Sequence, residues 1–261
     1  MTTIVTAFFD IGRDTKGDGR TIDEYLQWIK KTLQLNCNLF IVTESKFRNF
    51  FEENRPKEYS TVIKVIDFKD SHYYKYYDKM KEILQSQEYI NKIKHPDRVE
   101  CKMPEYSIIQ YSKFHYLQMA IEENPFQTEY FLWADAGISR FFLDVDLSCE
   151  YPGINGNIKL EEAKDKFIIQ NRQDIYSYPL NNDFIWESAN LLCGTMFGGS
   201  AFIVKKIAKL VEQVFIEKML NKNNVNNEQL ALALVWNGHK ELFYLVGNYT
   251  HHHLWLFKYL S

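Results

Sequence analysis

Tyr130-Phe131-Leu132-Trp133-Ala134-Asp135-Ala136-Gly137, or YFLWADAG, is the stretch whose reading decides the fold. Four large apolar residues in a row leave no polar face, which suits a strand buried on both sides, inside a sheet covered by helices. The run ends on one carboxylate and two of the smallest residues. Open α/β sheets bind ligands outside the carboxyl ends of their strands. Asp135 is therefore expected at the rim of a site, with Ala136 and Gly137 leaving room for a ligand to approach the backbone. A plain turn accounts for the same three residues, since Asp and Gly are ordinary turn formers.

Working outward, residues 105–123 carry Ile108, Tyr111, Phe114, Leu117 and Ile121 at helical spacing, and Pro125 marks the stop. Nearer the start, apolar runs at 4–9, 39–43 and 61–68 alternate with helical patterns at 21–35 and 45–53. Thr21 and Glu24 form a capping-box pattern at the first of these helices. This alternation predicts an α/β fold with a mainly parallel central sheet flanked by helices. No repeat or linker interrupts the chain, so residues 1–261 read as a single domain, with 71–100 as a helical insertion or flank. The polar region 148–190 has no clear period. GTMFGGS, at 194–200, reads as a glycine turn before a helix over 201–220, with Ser200 as its N-cap. A helix over 228–236 follows the capping residues Asn226 and Asn227, and 243–246 is a short late strand.

Composition narrows the class. A chain of 261 residues with 46% hydrophobic content can bury an ample core. The net charge of −3 gives no global case for nucleic acid or an anionic membrane as partner. No apolar run reaches the length of a transmembrane segment, and residues 1–9 lack the basic region of a signal peptide. Cys37, Cys101, Cys149 and Cys193 show no metal-binding or redox spacing. A soluble, cytoplasmic protein with reduced thiols is the expectation.

Other residues could carry chemistry. Asp144-Val145-Asp146 places two carboxylates on one side of an extended segment, a geometry for a hard cation. It resembles the nucleophile motif of haloacid-dehalogenase-like phosphatases, but lacks their position near the domain start and their downstream acidic pair. An exposed alternating strand is the simpler account of it. Backbone amides around Gly198 and Gly199 could bind an anion or a sugar hydroxyl at a helix start. Glu228 suits the first turn of a helix, or a general base. His251 and His253 share one side of an extended segment and could serve one metal together.

Taken together, TAFFDIGRD, YSKF with NPFQTEYFLWADAGISR, GTMFGGS and NNEQLALAL resemble the HtrL/YibB-like family, also called WlaTC-like, from residue 3 to about residue 236. That family is associated with the GT-A class of nucleotide-sugar glycosyltransferases. The resemblance implies an enzyme of the hexosyltransferase type, using a nucleotide-sugar donor and a glycan or other hydroxyl acceptor. It implies base and ribose binding by Thr6, Phe8, Asp10 and Arg13, with Lys113, Ala136 and Gly137 in the donor region. Asp135 would be the retained carboxylate of a D-x-D motif, and Gly198 and Gly199 would wall the donor sugar or acceptor. Glu228 would lie near the reacting sugar. Mn²⁺ or Mg²⁺ would be held by Asp135 with His251 or His253. Gly137 stands where D-x-D has its second carboxylate. A metal-dependent phosphatase built on Asp144 and Asp146, or a non-catalytic nucleotide-sugar-binding module, are the alternatives.

Overall fold

Residues 1–142, 145–247 and 254–261 are described in the structure, a computed structural model. Its strands β1 (Thr2–Phe8), β2 (Asn38–Thr43), β3 (Thr61–Val65), β4 (Tyr130–Ala134), β5 (Phe167–Asn171), β6 (Leu192–Ser200) and β7 (Phe243–Val246) form one sheet. The order is β3-β2-β1-β4-β6-β5-β7. β1 runs parallel to β2 and to β4, β2 to β3, and β5 to β7. β6 alone runs against its neighbours β4 and β5. The α/β fold with a mainly parallel sheet is thus the one that the alternating sequence predicts.

The helices are α1 (Arg13–Lys16), α2 (Ile22–Thr32), α3 (Arg48–Asn54), α4 (Tyr77–Gln85), α5 (Gln87–Lys92), α6 (Pro104–Glu123), α7 (Ile154–Glu162), α8 (Ala201–Val214), α9 (Glu228–Gly238) and α10 (Trp255–Leu260). Strand alternation sends side chains to opposite faces, and two cores result. Val5, Phe40 and Trp133 join the core beneath α6, α8 and α9. Ile4, Ile41 and Leu132 join the one beneath α2, α7 and α10. Because α6 lies against the sheet with other helices packed around it, its apolar side chains are buried on several sides, including Ile108, Phe114 and Leu117. Each such burial stabilises by roughly 1.5–3 kcal/mol.

Local signals behave as their chemistry requires. Thr21 and Glu24 complete the capping box of α2, Ser200 caps α8 and Asn227 caps α9. α6 ends at Asn124 in the left-handed conformation, just before Pro125. All of β4 is buried.

Two segments depart from the sequence reading. GTMFGGS is no turn; it is most of β6, paired with β4. A Cβ on Gly198 would lie 2.1 Å from the Phe131 carbonyl oxygen, and one on Gly199 would lie 2.8 Å from that of Lys166. Glycine here permits close backbone approach inside a sheet. Within 148–190, α7 and β5 are both present, hidden by polar neighbours. No helix among the described residues is long and apolar enough to cross a membrane.

Candidate active site

The carboxyl ends of β1 and β4 diverge around a cavity of about 140 Å³. Asp135 stands at its rim, because β4 ends one residue earlier and the chain turns there. Its amide donates to the Thr195 carbonyl of β6 at 2.9 Å, and its carbonyl accepts from Ile138 at 2.9 Å. The carboxylate is fixed through one oxygen. Oδ1 accepts from Trp133 Nε1 at 2.8 Å and lies 3.1 Å from Lys113 Nζ. The tryptophan of the opening stretch therefore does more than fill the core.

Lys113 reaches this point from α6, almost wholly buried. Its ammonium also donates to Glu228 Oε1 at 2.9 Å and to the Gly194 carbonyl at 3.0 Å. An ammonium has three N–H donors, and three acceptors surround it. Burial works against the charge, but Asp135 and Glu228 outweigh it and raise the Lys113 pKa above the usual lysine value. Glu228 is fully buried, which pushes its carboxyl pKa up against the pull of Lys113. Its second oxygen, Oε2, has no hydrogen-bond partner among the described residues. A Cβ on Gly194 would come within 2.3 Å of Glu228 Oε1, so glycine is required for the carboxylate to lie there.

The opposite wall comes from the loop after β1. Phe8, Asp10 and Arg13 line the cavity. Asp10 accepts from the Gly12 amide at 3.0 Å and from Lys46 Nζ at 2.8 Å, which ties the loop to the residues following β2. Arg13 lies over the Tyr106 ring, 4.8 Å from its centroid, and donates to the Tyr25 hydroxyl. Ala136 and Gly137 line the floor, and a Cβ on Gly137 would press to 3.2 Å from Trp28 Cε3. Arg20 and Arg140 also line the cavity. Neither stood out in the sequence, where an isolated arginine has no pattern to betray it; Arg140 sits just three residues beyond Gly137.

Several expected site residues lie elsewhere. Thr6 is buried within β1, away from the cavity lining. Gly198 and Gly199 pair with Leu132 and Phe131, toward the amino end of β4, so they form sheet interior rather than a sugar-facing wall. Gly194, at the other end of β6, is the glycine that meets the site. Glu228 packs behind Lys113 and does not line the cavity, because the first turn of α9 points its carboxylate into the protein. Asp146 is exposed; its Oδ1 accepts from the Ser148 amide at 3.0 Å and hydroxyl at 2.6 Å, and its Oδ2 from Cys149 Sγ at 3.5 Å. It serves a turn, away from the cavity. Asp144, His251 and His253 lie outside the described residues.

Among the described residues, no three of His, Cys, Asp and Glu come together as a metal site. Asp135 offers a single carboxylate, with Oδ1 engaged.

Comparison with solved structures finds mouse xyloside xylosyltransferase 1, apo form, at a TM-score of 0.44 and 11% identity, covering 94% of this chain and 85% of that one. Protein HtrL of Escherichia coli (strain K12) is 26% identical over 264 residues, spanning 94% of this chain and 87% of HtrL. The family model described as "Bacterial protein of unknown function (HtrL_YibB)" matches residues 1–259, and the chain therefore belongs to the HtrL/YibB family.

Proposed function

We propose that the protein is a glycosyltransferase that moves a sugar from a nucleotide-diphosphate donor to a hydroxyl of a glycan or other acceptor. The observation that carries this reading is the cavity at the ends of β1 and β4, where one held carboxylate, Asp135, faces arginines from the β1 loop and the turn after β4. Breaking a sugar–diphosphate bond leaves negative charge on the diphosphate, and fixed cationic donors stabilise that charge as it develops. The aromatic rings of Tyr25, Tyr106 and Phe8 add flat apolar surface suited to a base or a sugar face.

Trp133 and Lys113 hold Asp135 by Oδ1, so its other oxygen is the one presented to ligand. Mg²⁺ commonly binds through one or two carboxylates plus substrate phosphates, and Asp135 fits that requirement, with His251 or His253 as the expected further ligands. When bound, Mg²⁺ or Mn²⁺ would neutralise charge on the leaving diphosphate. Lys113 hydrogen-bonds Glu228 and the Gly194 carbonyl, pairs with Asp135 and lines the cavity, so it orients Asp135 and sets a positive charge at the site. Glu228 acts in turn on Lys113, as a positioning residue and not as the base that deprotonates the acceptor.

A panel of nucleotide sugars offered with Mn²⁺ and hydroxyl acceptors tests the reading. Donor hydrolysis or transfer is expected with at least one of them, and Asp135→Asn should lower kcat by about 10²–10³-fold. No turnover and no thermal stabilisation by any nucleoside diphosphate would sink it. Tight nucleotide binding without turnover would select the non-catalytic module instead.

A further inference from the structure

Asp18 bridges two arginines that line the cavity. Arg13 grips it in the bidentate manner, Nε to Oδ1 at 2.7 Å and Nη2 to Oδ2 at 2.9 Å, and Arg20 Nε stands 3.4 Å from Oδ2. A planar guanidinium fork fits a carboxylate and a phosphate in the same way. The side chain of Arg13 is 14% exposed and that of Asp18 36%; both arginines line the cavity, and Asp18 lies outside its lining. Asp18 is carried between Gly17 and Gly19. Gly19 is left-handed, at φ +80°, with nothing within 4 Å of a Cβ placed there, whereas a Cβ on Gly17 would meet the Arg13 carbonyl at 2.8 Å, so the open space beside Asp18 lies on the Gly19 side.

A second observation points to an anion in the same cavity. The buried Nε of Arg140 has no hydrogen-bond partner among the described residues. Its guanidinium rests on the Trp28 and Phe141 rings, at 5.3 and 4.4 Å, and these rings offer no acceptor of ordinary strength. Among the described residues the acidic residues of the lining make no ion pair with these arginines; Asp10 pairs with Lys46 and Asp135 with Lys113.

We propose that Arg13, Arg20 and Arg140 form the subsite for the donor diphosphate, and that Asp18, from outside the cavity lining, holds the donors of Arg13 and Arg20 until the diphosphate draws them away. This rests on the nucleotide-sugar reading for the identity of the ligand, but the anion site itself does not. Asp18 acts as an internal competitor. It keeps the arginine pair oriented and neutralised when the cavity is empty, and any diphosphate that binds must release it.

The test uses inorganic pyrophosphate as the probe, by titration calorimetry on the full chain in the presence of EDTA, with inorganic phosphate as a parallel arm. Asp18→Asn should bind pyrophosphate about tenfold more tightly than the unaltered protein, the gain expected if the arginine pair is otherwise occupied about nine-tenths of the time. Arg13→Gln and Arg140→Gln should each weaken binding by roughly tenfold or more through loss of charge-assisted hydrogen bonds. Phosphate should bind more weakly than pyrophosphate and gain less from Asp18→Asn, because it spans fewer of the arginines. Asp18→Ser serves as a second replacement, and a thermal melt confirms that each variant is folded. If both Asp18 replacements bind pyrophosphate no better, or worse, Asp18 is a scaffold for Arg13 and the displacement idea falls. If pyrophosphate binds as expected while no nucleotide sugar is turned over, the anion site stands and the glycosyltransferase reading fails.

Discussion

Two ionic clusters flank one cavity, and they differ in nearly every physical respect. Lys113, Asp135 and Glu228 meet in the interior, the lysine hydrogen-bonded to Glu228 and the Gly194 carbonyl and paired with Asp135. Arg13, Asp18 and Arg20 meet where Asp18 and Arg20 are partly exposed. A buried ion pair that loses one partner leaves an uncompensated charge in a poor solvent for it. An exposed one exchanges its partner for water or for another anion at little cost. Burial thus makes the first cluster a fixed support and leaves the second free to serve as a binding surface.

The comparison can be broken at several points. The largest effect should come from Lys113→Met, which strands Glu228 in the core; about 3–5 kcal/mol of stability is expected to be lost in urea unfolding. A loss under 1 kcal/mol would show that the inner cluster is not a fixed support. Gly194→Ala comes next. Its added Cβ collides with the Glu228 carboxylate, and about 1–3 kcal/mol should be lost by overpacking. Asp18→Asn should change stability least, by roughly 0–1 kcal/mol, while its pyrophosphate affinity rises.

Acid and alkali should separate the two clusters as well. Burial tends to raise the Asp18 pKa, but Arg13 and Arg20 outweigh it and hold the carboxyl below its usual value of 3.8. Its contribution is therefore present above that value and is lost as pH falls through the lower folded pKa. Lys113 is the reverse case. Its pKa is raised above 10.5, so its contribution is complete below 10.5 and is lost as pH rises through the folded value. Unfolding free energy measured against pH should show the Lys113→Met variant lacking its share of the alkaline decline, the rest coming from buried tyrosines and cysteines whose pKa values burial raises, and Asp18→Asn lacking a small part of the acid one.

Much of this arrangement could be read before any coordinates. The position of Asp135 followed from an apolar run too uniform for an exposed strand, ended by a carboxylate. The caps at Thr21, Ser200 and Asn227 followed from local hydrogen-bond chemistry, which needs only neighbours in sequence. Other features could not be read this way. Gly198 and Gly199 looked like a turn because glycine suits both a turn and a crowded strand, and only the approach of β4 and Lys166 tells them apart. Glu228 looked like a base because the first turn of a helix welcomes an acid whichever way the side chain then points.

The sequence by itself determined the strands β1 to β4, the helices α2, α3, α6, α8 and α9 and the position of Asp135 just past β4, because strand and helix periods and caps are local properties of the chain. Tertiary structure alone decided which charges were buried together. Lys113 and Glu228 are separated by more than a hundred residues of chain, and the packing of α6 against β6 and α9 brings them to 2.9 Å. Arg13 and Arg140 are equally remote in sequence, yet both line the cavity because the strands leading to them, β1 and β4, are neighbours in the sheet. Desolvation and pairing depend on what lies across a gap in space, and no period along the chain records that.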